Sequence, residues 1–150
     1  MSEVVKVCNK CFKEKCNCNN NYKIEIDKNI LPIIQELNNK GYGTRFCCEG
    51  HPIYFYIYFK YNFEELKNCP IKNIKVEFKK NHGYYNKDNT LNCSYIFYSV
   101  ANPYTSAFIK KYPEMGEKLK NDLLNELAVW VHSLPRASVD WREYCVCYKE

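Results

Sequence analysis

The sequence predicts an α+β fold: a mostly antiparallel sheet of about six strands, with helices on one face and a zinc ribbon at the N-terminus. Three observations support this prediction. Cysteine pairs open the chain, several short stretches alternate apolar and polar residues, and two longer stretches repeat with the helical period. With 150 residues and 46% hydrophobic residues, the chain can build one core. We therefore expect a zinc-binding ribbon over 1–21 and one compact α+β unit over 22–150.

Two cysteine pairs, Cys8-x-x-Cys11 and Cys16-x-Cys18, lie in a polar N-terminal segment rich in lysine and asparagine. A segment this short cannot build a core of its own, so something else must order it. Four thiolates on two tight turns suit tetrahedral Zn²⁺. A redox-active pair and solvated free cysteines are the alternatives. We predict structural Zn²⁺ as the cofactor, with Cys8, Cys11, Cys16 and Cys18 as its ligands.

The next stretches predict a strand, a helix and a second strand. Tyr22 to Ile26 alternates with period two, which indicates a strand. A helix is predicted from Ile30 to Lys40, with Asn29 as its N-cap and Gly41 at its C-terminal end. A strand over Tyr42 to Cys47 follows. The apolar residues of the helix recur at helical spacing and predict one buried face. They are Ile30, Ile33, Ile34 and Leu37.

Ile53 to Phe59 is the most apolar strand in the sequence, and its apolar and aromatic residues occupy both faces. This pattern predicts a central strand. Alternation places the phenylalanines and isoleucines on the core face and Tyr54, Tyr56 and Tyr58 on the other. A tyrosine stripe of this kind can stack on a base or ring, or it can pack beneath a helix.

A hairpin with a long connection is predicted in the middle of the chain. After one or two helical turns within 62–68, residues 71–80 alternate cleanly between apolar and charged side chains. Residues 81–89 are rich in turn formers, and 91–100 return as a strand. We expect the tip of this hairpin to be able to fold over a ligand.

The C-terminal part predicts the longest helix and a last strand. Residues 103–112 indicate a loop or short helix, and Pro113 can start a helix that ends near Leu134. A final strand is predicted from Trp141 to Tyr148. The helix carries a stripe of apolar residues that we expect to face the core. These are Leu119, Leu123, Leu127, Trp130 and Leu134.

The charge and the cysteine content limit the cellular compartment and the class of partner that the sequence predicts. The net charge of +5 is spread along the chain, which makes an anionic partner plausible but does not form a basic nucleic-acid tail. No apolar run reaches the roughly 18 residues of a membrane span, and Met1 to Lys10 lacks the apolar core of a signal peptide. Ten cysteines without an export signal favour metal ligands and buried thiols. We therefore expect a location in a reducing cytoplasm.

Five consecutive positions, Cys47 to His51, combine two thiols, a carboxylate, a glycine and an imidazole between two predicted strands. Catalysis is one reading, with His51 as acid or base, or Cys48 as nucleophile, and Glu49 orienting the imidazole. A second metal site that joins Cys48 and His51 to Cys145 and Cys147 is another. A tight turn with buried thiols and a hydrogen-bonded histidine is the structural alternative.

Ligand binding without turnover is the reading we favour for this turn. Gly50 and neighbouring amides can cradle an anion, and positive charge can come from Arg45, His51 and Arg142. Tyr56 supplies an aromatic face beside the turn. The predicted ligand-binding residues are Arg45, Cys48, Glu49, Gly50, His51, Tyr56 and Arg142.

The stretch Leu37-Asn-Asn-Lys-Gly-Tyr-Gly-Thr44, followed by Cys47-Cys-Glu-Gly-His51 and an aromatic strand, resembles small proteins of phages and low-GC Gram-positive bacteria. Trp130-Val-His-Ser-Leu-Pro135 and the later Trp141-Arg142 are similar to the ends of those proteins. More distantly, the turn resembles the Ser-Cys-Ser-Gly-Arg turn of the tRNA wybutosine-synthesis methyltransferase family. Cys48 and Gly50 match that turn, Cys47 and Glu49 replace its serines, and His51 stands where its arginine would be. The resemblance implies nucleotide or tRNA chemistry.

The function predicted from the sequence is a zinc-stapled binding protein of phage or mobile-element origin. It would bind or sequester a nucleotide-like or other anionic ligand at the Cys47–His51 turn, for example to evade host defence. One alternative is an enzyme acting on nucleotides or RNA, with His51 as acid/base. Another is an inhibitor that binds a host protein through the hairpin and the zinc ribbon.

Overall fold

The computed structural model describes residues 4–19, 21–48, 55–100 and 103–144, with the backbone alone described for 46–48 and 103–106. Within these ranges the chain forms strands, α-helices and two 3₁₀ turns. The strands are β1 (Val4–Cys8), β2 (Lys23–Asp27), β3 (Thr44–Cys48), β4 (Tyr56–Phe59), β5 (Ile74–Tyr85) and β6 (Leu91–Ser99). The α-helices are α1 (Leu31–Asn39), α2 (Pro103–Lys111) and α3 (Pro113–Ser133), and the 3₁₀ turns are Glu64–Leu66 and Trp141–Glu143.

The described strands form two antiparallel sheets. β1 pairs with β2 in a two-stranded sheet, and the other four strands form a sheet in the order β3-β4-β6-β5. The predicted α+β class and antiparallel pairing are thus confirmed, while the single sheet of about six strands is only approximate. β1 lies inside the predicted ribbon and pairs with a strand beyond residue 21. The domain boundary itself stays a prediction.

The prediction of a strand over Trp141 to Tyr148 was wrong at its beginning. Trp141–Glu143 is a 3₁₀ turn, because the side chain of Asp140 accepts a hydrogen bond from the backbone N–H of Arg142 at 3.0 Å. Burial of the Trp141 ring holds the turn against the rest of the chain. Cys145 and the residues after it lie outside the described part of the chain.

Helices α1 and α3 cover one face of the four-stranded sheet. Ile34 and Leu37 of α1 are buried in the same cluster as Ile57 and Phe97 of the sheet. The ring of Phe97 on β6 lies 5.8 Å from that of Trp130 on α3, centroid to centroid. This contact places the long helix over the centre of the sheet. No helix in the described ranges is long and apolar enough to cross a membrane.

Helix α1 begins and ends close to the predicted positions, but not with the predicted N-cap. Ile30 is the N-cap and provides no side-chain hydrogen bond. The backbone N–H of Asn29 instead donates to Oδ1 of Asp27 at 2.6 Å, so Asn29 belongs to the preceding turn. Gly41 closes the helix with φ of +93°, a conformation that costs glycine little.

The buried face of α3 is rotated from the predicted leucine stripe. Leu119 is exposed, and Leu123 and Trp130 lie at the border of the core. Lys120 stands among the buried residues, where its long apolar stem can pack while its Nζ lies 3.7 Å from Glu117. Leu127 and Leu134 of the predicted stripe are buried as expected, whereas at the other three positions the buried residue is the next one along the chain. The buried residues of α3 are Gly116, Lys120, Leu124, Leu127 and Val131.

Lys40, just after α1, joins the two core helices. Its Nζ donates to three backbone carbonyls at the end of α3, those of Val131, His132 and Leu134, at 2.7, 2.7 and 2.8 Å. The last carbonyls of a helix lack helical partners and carry partial negative charge, so an ammonium group stabilises them. Nζ also lies 3.6 Å from a carboxylate oxygen of Glu36.

We expect Lys40→Met to lower the free energy of unfolding by about 2 kcal/mol, because three carbonyls lose a charged donor. Urea unfolding followed by circular dichroism measures this change. Lys118→Met is the matched control, since Lys118 is exposed on α3 and the variant removes the same charge. Equal destabilisation by the two variants would show that Lys40 does not stabilise the helix end.

Candidate metal centre

The side chains of Cys8, Cys11, Cys16 and Cys18 come together in the folded chain. Their sulfur atoms all lie within 4.8 Å of one another. A tetrahedral zinc ion with Zn–S bonds of about 2.3 Å requires sulfur–sulfur distances of about 3.8 Å. The cluster therefore fits a single metal ion after small side-chain adjustments, and these four cysteines can hold one.

Local backbone geometry brings the first cysteine pair into place. β1 ends at Cys8, and the backbone N–H of Phe12 donates to the carbonyl oxygen of Cys8 at 2.9 Å, which closes a tight turn. Phe12 adopts a left-handed conformation with φ of +60°, which costs roughly 1–2 kcal/mol for a residue with a side chain. Its ring is buried in the core, which offsets that cost. Nε2 of Gln35 on α1 donates to the Phe12 carbonyl at 2.8 Å and docks the turn on the helix.

Hydrogen-bond donors surround the sulfur atoms. The backbone N–H of Lys10 donates to Sγ of Cys8 at 3.3 Å. The side-chain amide of Asn21 donates to Sγ of Cys8 at 3.3 Å and to Sγ of Cys16 at 3.6 Å. Such donors stabilise thiolates and orient metal ligands. Asn21 therefore links the two cysteine pairs, a role that its place in an asparagine-rich stretch of the sequence does not indicate.

Burial and hydrogen bonding within the cluster shift the pKa values of Cys8, Cys11 and Cys18 in different directions. Burial acts to raise the pKa of Cys8, but hydrogen bonds from the backbone of Cys11 and Lys10 and from Asn21 bring it down to about 6. Hydrogen bonds with Cys16 and Cys11 raise the pKa of Cys18 to about 12. Burial likewise raises the pKa of Cys11. Cys8 therefore favours the thiolate form that a cation binds, while Cys11 and Cys18 would lose their protons when a cation binds.

The hairpin of β5 and β6 curls towards the opposite edge of the sheet. The strand register jumps from Lys80↔Cys93 to Tyr85↔Leu91, so β5 contains extra residues that bulge out. Within this bulge, Nδ2 of Asn81 donates to Oδ1 of Asn92 at 2.7 Å and to Oγ of Ser94 at 3.0 Å. These bonds tie the start of the hairpin tip, residues 81–90, to β6.

The hairpin tip contacts two of the predicted ligand-binding segments. The guanidinium carbon of Arg45 on β3 lies 5.5 Å from the ring centroid of Tyr84. Three residues further on, Nζ of Lys87 donates to the backbone carbonyl of Arg142 at 2.6 Å. The backbone N–H of Lys87 also donates to the carbonyl of Tyr144 at 2.9 Å. The tip thus connects the β3 edge with the C-terminal 3₁₀ turn.

Trp141 anchors this region to the start of β3. A Cβ on Gly43 would lie 2.5 Å from Nε1 of Trp141, so only glycine fits there without a shift. The Nζ of Lys60 lies 4.0 Å and the guanidinium carbon of Arg142 lies 4.9 Å from the indole ring. These cation–π contacts place two positive charges beside the hairpin tip.

Among the remaining predicted site residues, the structure describes the side chain of Tyr56 and the backbone of Cys48. Tyr56 is 38% exposed and packs edge-on against Tyr58, with ring centroids 5.5 Å apart. The backbone of Cys48 pairs with Tyr56. The side chain of Cys48 and the whole of Glu49, Gly50, His51, Cys145 and Cys147 lie outside the described atoms. The acid/base role of His51, the nucleophile role of Cys48 and the second metal site stay predictions.

No protein-family model, curated protein or solved structure matches this chain.

We expect Cys11→Ser to abolish metal binding and to disorder the β1–β2 hairpin, because a hydroxyl is a poor substitute for a thiolate ligand. Metal content measured by elemental analysis and amide exchange of β1 report the two effects. Cys93→Ser is the matched control, because Cys93 lies outside the cluster. One equivalent of metal retained by Cys11→Ser would rule out this ligand set.

We expect Asn21→Ala to weaken metal affinity about 10- to 100-fold while leaving the stoichiometry unchanged, because it removes hydrogen bonds to two ligand sulfurs. Competition with a chromogenic chelator measures the affinity. Asn17→Ala, at an exposed position within the same loop, should retain the original affinity. Equal affinities of the two variants would remove Asn21 from the centre.

Proposed function

We propose that the chain is a zinc-stapled binding protein in which Cys8, Cys11, Cys16 and Cys18 hold a structural Zn²⁺. The observation that carries this proposal is the approach of four sulfur atoms to within 4.8 Å of one another. An all-thiolate tetrahedral donor set favours zinc or iron among the metals of proteins, and the amide donors around Cys8 suit a charged metal–thiolate centre.

The donor set supports a structural rather than a catalytic ion. Four protein ligands fill a tetrahedral zinc, whereas catalytic zinc keeps one position for water or substrate. The turn between Cys8 and Phe12 docks on α1 through Gln35, so an ion bound there would hold the β1–β2 hairpin against the main body. The ion would add to the order that burial of Val7 and Phe12 already gives this segment.

We further propose that a nucleotide-like or other anionic ligand binds, without turnover, at the Cys47–His51 turn. The supporting observation is that the hairpin tip contacts both Arg45 and the backbone of Arg142. Arg45 and Arg142, two predicted ligand-binding residues that are distant in the sequence, therefore both lie beside the hairpin tip. Positive charge beside exposed tyrosine rings suits an anionic ligand that carries an aromatic base.

Arg45→Ala and His51→Ala should each weaken ligand binding about tenfold or more, because each removes a charged donor to the anion. A nucleotide panel is screened by ligand-induced melting shifts, and the affinity of each hit is measured by calorimetry. Arg136→Ala, an exposed arginine after α3, is the matched control and should keep the affinity.

The outcomes of this screen separate the alternatives. Consumption of a nucleotide or RNA at sub-stoichiometric protein, lost in His51→Ala, would favour the enzyme with His51 as acid/base. If no compound of the panel shifts the melting temperature, the small-ligand proposal is wrong and the host-protein inhibitor takes its place. Native mass spectrometry of the protein from its own host counts bound zinc independently of either result.

A further inference from the structure

One edge of the four-stranded sheet is formed by β5, the longest of the described strands, with 12 residues. Most of β5 is exposed to solvent, and its exposed residues include large aromatic side chains. Phe78 is 51% exposed and Tyr85 is 56% exposed. The ring of Phe78 is held edge-on to Tyr95, with centroids 5.9 Å apart, so it stands at a defined place on the sheet edge.

Lysine residues accompany these aromatic rings along the strand. Residues 72–88 contain five lysines and two carboxylates, so this segment is distinctly basic. Because side chains alternate between the faces of a strand, Lys75 and Lys79 lie on one side of β5 and Lys80 lies on the other with Phe78. All of these lysines are exposed. Positive charge therefore flanks the aromatic rings on both sides of the edge.

Protection of the sheet edge against pairing with other chains explains the lysines but not the exposed aromatic rings. Lysine on an edge strand prevents unwanted pairing with other chains. Half-exposed Phe78 and Tyr85 have the opposite effect, because they add apolar surface where association would start. Aromatic rings interleaved with lysines on an exposed strand are instead the features of surfaces that bind single-stranded nucleic acid.

We propose that the β5 edge binds single-stranded nucleic acid. The lysines Lys75, Lys79 and Lys80 contact phosphates, and the rings of Phe78 and Tyr85 stack on unpaired bases. A duplex offers the phosphates but hides the base faces, so the exposed rings favour a single strand. This inference goes beyond the proposed function and does not rest on it, because neither the metal centre nor the Cys47–His51 turn takes part.

Fluorescence anisotropy with a labelled oligothymidylate of about 12 nucleotides tests the proposal. We expect binding that weakens with salt. Phe78→Ala and Tyr85→Ala should each raise Kd about tenfold, because each removes one stacking platform. The double variant Lys79→Gln/Lys80→Gln should reduce the slope of log K against log salt by about 1.4, the value for two lost phosphate contacts on a single strand.

Matched controls come from helix α2. Phe108 is 46% exposed, close to the exposure of Phe78, and Lys110 and Lys111 are an exposed lysine pair. Phe108→Ala and Lys110→Gln/Lys111→Gln should leave Kd and the salt slope unchanged. Thermal unfolding of every variant checks that it remains folded. The double variant Lys79→Gln/Lys80→Gln tests the site without altering a packed ring.

Several results would overturn the proposal. These are an absence of binding at about 50 mM salt, equal losses in the β5 and α2 variants, and equally tight binding of a duplex. Tighter binding of a polyglutamate peptide than of the oligonucleotide would assign the edge to a protein partner. Arg45→Ala separates this inference from the proposed function, because it should weaken the nucleotide-like ligand and retain the oligonucleotide.

Discussion

The meeting of four cysteine sulfurs is the constraint on which the N-terminal part of the structure depends. Thiolates brought within 4.8 Å repel one another unless protons or a cation lie between them. The chain meets this constraint with hydrogen-bond donors from Cys11, Lys10 and Asn21, which lower the pKa of Cys8, and with raised pKa values of Cys11 and Cys18. A metal cation bound in the cluster would replace those protons and convert repulsion into attraction.

The cysteine cluster is coupled to the core and is not an isolated appendage. Val7, next to Cys8, and Phe12, next to Cys11, belong to the same buried cluster as residues of α1 and the four-stranded sheet. Gln35 reaches from α1 to the backbone of Phe12. Ordering of the cysteine turn and packing of the helix against the sheet therefore support each other. Metal binding and folding of the hairpin should accordingly be linked events.

The curled hairpin has a comparable role at the other end of the molecule. Its bulge removes β5 residues from regular pairing and lets Asn81 bond across the sheet face. The tip then adjoins Arg45 and the turn that carries Arg142, while β5 leaves its outer edge exposed. One strand therefore supports two basic and aromatic surfaces, one under the tip and one along the edge.

The sequence by itself determined the α+β class, the spans of α1 and α3, the β5–β6 hairpin and the four clustered cysteines. These features depend on local periodicity, on proline and glycine positions, and on spacing within a short loop, all of which can be read from neighbouring residues.

Only the tertiary structure decided the division into two sheets, because β1 needed a partner that lies beyond the cysteine loop. It also decided the phase of the α3 stripe and the 3₁₀ turn at Trp141, since both depend on which surfaces pack against them. The contacts of Arg45 with Tyr84 and of Asn21 with two sulfurs belong to the same class, because they join residues whose proximity depends on the folding of the whole chain.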